Sequence, residues 1–147
     1  MVFYFGGRWT AHHYDSAQQY AAIGYASLPL DRFCALEAAA QGRLVTVPIV
    51  WPGGELVLNA DTRESFTSHP AYADGEIQVE VLDPSGEPLP DWPEKAVFRS
   101  NTHSRGGIRD GTVKWPGDKL MDSLRGRTIA LRFTMRHARL FTLTATG

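Results

Sequence analysis

Glu76-Ile77-Gln78-Val79-Glu80-Val81 alternates polar and apolar residues without a break, and that period of two decides the fold class. Successive side chains of an extended strand point to opposite faces, so Ile77, Val79 and Val81 share one face and Glu76, Gln78 and Glu80 the other. Thr128-Ile129-Ala130-Leu131-Arg132-Phe133-Thr134-Met135 repeats the pattern, predicting Ile129, Leu131, Phe133 and Met135 inward. Phe141 and Leu143 are expected inward in a separate last strand. Leu44 to Trp51 and Leu56 to Asn59 read as strands joined by Pro52-Gly53-Gly54, a compact turn signal. Val2–Phe5, Ile23–Leu28, Ala96–Phe98 and Thr112–Trp115 are shorter candidates.

Turn clusters separate these runs: Asp83-Pro84-Ser85-Gly86, Pro88 to Pro93, Gly106-Gly107 and Trp115-Pro116-Gly117. Each joins glycine's backbone freedom to proline's fixed φ, as tight β connections require. Helical signal is confined to the alanine-rich Leu30 to Gln41 and to one turn over Leu120–Leu124 before Gly126. The expected fold is all-β: an antiparallel, jelly-roll-like β-sandwich over residues 36–147, preceded by an N-terminal β-hairpin over residues 1–35. A long polar loop, Gly6 to Tyr20, joins the two strands of that hairpin. An isolated two-stranded hairpin is marginal in water, so it must pack on the sandwich or complete a neighbouring element.

Composition narrows the function classes. The 147 residues carry 15 basic and 16 acidic side chains, without the basic excess that nucleic-acid binding by bulk electrostatics needs. No apolar run is long enough for a membrane helix, and the apolar start Met1-Val2-Phe3-Tyr4-Phe5 lacks the basic region of a signal peptide. Cys34 is the single cysteine, so internal disulfides and cysteine-based zinc sites are excluded and a cytoplasmic location is favoured.

Several stretches resemble a known family. Phe3-Tyr4-Phe5-Gly6-Gly7 through His13, Ala22-Ile23-Gly24-Tyr25-Ala26 and Leu30-Asp31-Arg32-Phe33 resemble the end of the last blade in bacterial five-bladed β-propeller proteins. These are the glycosidase-like proteins related to glycoside hydrolase families 32, 43 and 68. Gly54 to Ala60, Gly75 to Asp83, Gly86-Glu87-Pro88-Leu89-Pro90, Val113-Lys114-Trp115, Leu124-Arg125-Gly126-Arg127, Leu131-Arg132-Phe133 and Ala138-Arg139-Leu140-Phe141 are similar to the β-sandwich that follows that propeller. His137 and Arg139 depart from the family, which tends to acidic residues there. The resemblance implies a non-catalytic accessory sandwich, since the catalytic carboxylates of such enzymes sit on earlier blades. It also implies a partner for the hairpin, either a propeller domain or a second copy of the chain.

Two loops concentrate groups suited to sugar. Arg8, Trp9, His12, His13, Tyr14 and Asp15 place aromatic planes beside hydrogen-bonding side chains, and loops at strand ends commonly carry sites. Arg105 and Arg109 lie in a second polar loop, and Trp92, within a proline-rich turn, is a candidate exposed sugar platform. The alternative to a carbohydrate-associated module is a small glycosidase or lyase built from residues 8–15 and 100–110. A third candidate is a structural self-association domain. No catalytic residue, cofactor or transition-metal site is assigned. Calcium is conceivable at Asp61, Asp74 or Asp110, without any EF-hand spacing to support it. Cys34 reads as a small buried hydrophobe.

Overall fold

A computed structural model describes residues 1–8, 21–28, 30–62, 75–100 and 111–146. The fold is an antiparallel β-sandwich with a separate two-stranded hairpin at its N-terminus. The hairpin pairs β1 (Val2–Arg8) with β2 (Ala21–Ser27). The seven-stranded sheet holds β3 (Leu36–Val45), β4 (Ile49–Val50), β5 (Glu55–Asp61), β6 (Glu76–Leu82), β7 (Ala96–Phe98), β8 (Gly111–Thr112) and β9 (Thr128–Thr146).

The organising element is β9. Along one side it pairs with β3 and β4; along the other its first half pairs with β6 and its second half with β5. The expected separate last strand is therefore the continuation of one 19-residue strand. His137, at φ 44°, is where it changes phase. Ile129, Leu131, Phe133 and Met135 are buried as their alternation required, but beyond His137 the buried residues are Ala138 and Leu140. Phe141 is only half-buried and Leu143 is exposed, against the inward placement expected of both. A residue in the left-handed region adds one step to the strand, and one step exchanges its faces.

Alanine-rich Leu30 to Gln41 does not form a helix. Ala38, Ala39 and Ala40 lie in β3, with Ala38 opposite Ala138. Pairing along β9 outweighs alanine's helix propensity, which is worth only tenths of a kcal/mol per residue. Leu44 to Trp51 is likewise not one strand: β3 ends at Val45 and β4 is a separate two-residue pairing. The turn expected over Leu120–Leu124 is a 3-10 turn at Met121–Leu124.

The inner faces bury Leu56, Leu58, Ile77, Val79, Val81, Ile129, Leu131 and Phe133, with Trp51 and Trp115 closing the strand ends. Where β5 ends, the Thr62 amide donates to Ser100 Oγ at 3.0 Å and the Ser100 amide donates to Thr62 Oγ1 at 2.9 Å. This buried reciprocal pair ties the end of β5 to the chain leaving β7 and satisfies both amides away from water.

Gly75 leads into β6 where three carbonyls converge. A Cβ there would meet the carbonyl oxygens of Thr62, His137 and Arg136. Overpacking of this kind costs about 1–3 kcal/mol. Gly75→Ala is therefore expected to lower the unfolding free energy by that amount, read as a lower urea midpoint with an unchanged slope, whereas Gly86→Ala, whose Cβ meets nothing, carries only the strain of its positive φ.

Candidate functional site

The register of the hairpin sorts its side chains onto two faces, both of them exposed. Tyr4 lies opposite Tyr25 and Gly6 opposite Ile23, so Val2, Tyr4, Ile23 and Tyr25 share one face by strand alternation. That face is bare: Tyr4 is 78% exposed, Tyr25 71% and Ile23 86%. On the other face the Phe5 ring covers Gly24, lying about 2.6 Å from where a Cβ would sit. Phe3 packs edge-on against Phe33, with centroids 6.3 Å apart and planes at 86°. Among the described residues, β1 and β2 form their strand ladder only with each other.

The segment after β2 is nevertheless clamped to the sandwich. Arg32 Nε donates to Asn59 Oδ1 at 2.9 Å, its guanidinium carbon lies 4.7 Å from the Phe141 ring centroid, and Asn59 Nδ2 donates to the Leu30 carbonyl at 3.3 Å. Asn59 is buried, so its amide needs these partners. Asp31, at φ 57°, makes the bend that aims Arg32 back. The hairpin is thus presented by a fixed base. Sequence reading missed this clamp, although a lone Asn within the apolar run Leu56-Val57-Leu58-Asn59-Ala60 was its available signal.

Of the expected carbohydrate-binding residues, Arg8 ends β1. Trp9, His12, His13, Tyr14, Asp15, Arg105 and Arg109 lie outside the described residues, so neither loop is brought into a described site. The exposed platform expected at Trp92 is corrected: the residue is 5% exposed and packs edge-on against Trp115, with centroids 5.5 Å apart and planes at 80°. In place of a platform, Trp92 forms part of the wall of a cavity of about 320 Å³ shared with Asp91, Lys119, Leu120, Ser123 and Arg127.

Cys34 is exposed, contrary to the buried hydrophobe expected. It borders an apolar groove of about 470 Å³ with Leu36, Leu44, Leu140 and Leu143. Among the described residues no three His, Cys, Asp or Glu side chains come together for a metal ion. Asp61 is buried at the end of β5, and the other calcium candidates, Asp74 and Asp110, lie outside the described residues.

The shifted carboxyl groups all titrate below their ordinary values. For Glu76 burial opposes the shift, but hydrogen bonds from Arg99 and Gln78 and the charges of Arg99 and Arg136 outweigh it. The Arg127 guanidinium lowers Asp91, Lys119 lowers Glu94, and the Gly54 amide followed by Arg125 lowers Asp122. Ser85 and the backbone amides of its turn lower Asp83. A general acid for glycoside hydrolysis needs the opposite shift.

These shifts fix a pH dependence. A carboxylate whose folded pKa is depressed stabilises the fold fully above its unfolded value, and that contribution is lost as pH falls through the folded one. With ordinary values of 3.8 for the aspartates and 4.5 for the glutamates, the melting temperature is expected to stay flat between about pH 8 and pH 5 and to fall below that. High salt should flatten the decline, because these pairs are largely exposed. Thermal melts across pH test it, and a melting temperature that rises on acidification would contradict it.

Comparison with family models, curated proteins and solved structures finds no match to this chain.

Proposed function

We propose that the chain is a non-catalytic accessory β-sandwich of carbohydrate-active machinery, which docks its N-terminal hairpin onto a catalytic partner and stabilises it. The observation that carries this is the bare face of Val2, Tyr4, Ile23 and Tyr25. A two-stranded sheet needs further strands or a packed face for its own stability, and a contiguous exposed apolar patch on a soluble protein marks an interaction site. Two open edges also offer backbone donors and acceptors to an incoming strand.

The partner is a β-sheet body lacking its closing strands. The likeness of residues 3–33 to the end of a last propeller blade supports a propeller-type glycosidase in that role. Pairing supplies main-chain hydrogen bonds at the edge, and the tyrosines and Ile23 fill the apolar side of the blade. The Arg32 clamp passes the sandwich's rigidity to the joint.

The test mixes the chain with a propeller-type glycosidase body from which the last blade's closing strands have been deleted, and follows mass by multi-angle light scattering. A one-to-one complex, with a raised melting temperature for the propeller, is expected. No complex would overturn the proposal, as would a stable homodimer of the sandwich that excludes the propeller.

A further inference from the structure

The backbone of the hairpin narrows how it docks. The Met1 amine donates to the Leu28 carbonyl at 2.8 Å, and the Leu28 amide donates to the Met1 carbonyl at 2.9 Å. In an antiparallel ladder such reciprocally bonded pairs alternate with pairs whose backbone groups point outward. The unbroken register therefore makes Phe3–Ala26, Phe5–Gly24 and Gly7–Ala22 bonded pairs. It turns the amides and carbonyls of Val2, Tyr4 and Gly6 outward along β1, and those of Ile23, Tyr25 and Ser27 outward along β2. Among the described residues no strand pairs with either outward row. The two edges differ. On β1, Phe3 is packed against Phe33, and the strand ends in Gly6, Gly7 and the charged Arg8. On β2, Ala21 to Ser27 holds no charge, proline or bulge, the devices that keep an edge from pairing. Its residues opposite Phe5 and Phe3 are the small Gly24 and Ala26, and the Phe5 ring reaches over Gly24.

We propose that β2 is the pairing edge, and that the outward backbone groups of Ile23 and Tyr25 take up an uncharged extended strand of the partner that is apolar on both its faces. The assignment rests on the docking reading and adds the edge used and the strand it takes. Side chains opposite one another on neighbouring strands share a face. One row of the incoming strand therefore continues the Ile23 and Tyr25 row, which makes the edge and the bare face one continuous contact. The other row lies beside Gly24 and meets the Phe5 ring, which fills the space the glycine leaves. Phe3 and Phe5 are 45% and 55% exposed, so this second row also meets uncovered apolar surface. A strand apolar on one side only would set polar groups against those rings. Strands buried on both faces are apolar on both.

The experiment uses the full chain and the propeller body lacking its closing strands. Gly6 lies opposite Ile23, so one ladder position can carry a proline on either edge, each removing an outward amide and no ladder bond. A Cβ at Gly6 meets nothing within 4 Å. By titration calorimetry Ile23→Pro is expected to bind at least about tenfold more weakly than Ile23→Ala, because a carbonyl of the partner is left unsatisfied, while Gly6→Pro stays within about twofold of Gly6→Ala. In the complex of the unmodified chain, amide exchange at Ile23 and Tyr25 should slow at least about tenfold more than at Gly6. A lysine on the Phe5-facing row of the propeller's edge strand should also weaken binding, and an unchanged affinity would overturn the requirement for two apolar faces. A loss confined to Gly6→Pro, or protection confined to the outward amides of β1, would overturn the choice of edge and leave docking in place. No complex with the unmodified chain would overturn the docking reading and this proposal with it.

Discussion

Phe133→Ala is expected to cost the fold about 3–5 kcal/mol, the range for deleting a fully buried phenyl group. Phe133 lies in β9 opposite Leu44 of β3 and Val79 of β6 and has no solvent exposure, so both neighbouring strands lose packing. Small domains hold only about 5–15 kcal/mol in total, and the urea midpoint should drop by about a fifth or more. The same series tests the change of phase at His137. Leu140→Ala should cost about 2–5 kcal/mol and Leu143→Ala less than about 1 kcal/mol, since Leu140 is buried and Leu143 exposed. Equal losses at the two leucines would contradict the exchange of faces beyond His137.

Tyr4→Glu combined with Ile23→Glu is expected to weaken docking at least about 100-fold while leaving the sandwich intact. Both side chains stand on the bare face, and burying each in an interface is worth about 1.5–3 kcal/mol. Losing both and desolvating two carboxylates would exceed the roughly 2.7 kcal/mol that a hundredfold requires. In the free chain the two positions are solvent-facing, so the sandwich melting transition should move by less than about 0.5 kcal/mol. Titration calorimetry with the propeller body measures the first effect and urea unfolding the second. An unchanged affinity would place the contact elsewhere on the chain.

The sandwich was legible wherever one face is buried and the other polar. Ile77, Val79 and Val81, and Ile129, Leu131, Phe133 and Met135, fall on the core as expected, although Ala130 between two of them is buried as well. Glu76 and Glu80, on the opposite face, are more covered than a solvated face implies, because Arg99, Lys95 and Arg132 lie across them. Legibility ended at Ala138-Arg139-Leu140-Phe141, where apolar residues occur in both phases. There a single backbone angle at His137 selects between them, and hydrophobicity carries no trace of it. Ala38 to Ala40 misled in the opposite way, local propensity being overridden by pairing to β9. For Trp92, proximity to prolines suggested exposure, while contact with Trp115, distant in sequence, buries the ring. The hairpin's existence was readable, but which of its side chains share a face depends on cross-strand register, and Phe3 and Phe5 opposite the tyrosines are themselves about half exposed.

Amide hydrogen exchange of the chain, alone and with the propeller body, tests the central claim most directly. A hairpin without a packed face opens locally at little cost, whereas core strands exchange only near global unfolding. Alone, the amides of β1 and β2 are expected to be at least about 100-fold less protected than those of Leu131 and Phe133, and to gain protection when the partner is added. Hairpin amides already protected to the level of β9 in the free monomer, and unaltered by the partner, would contradict the account.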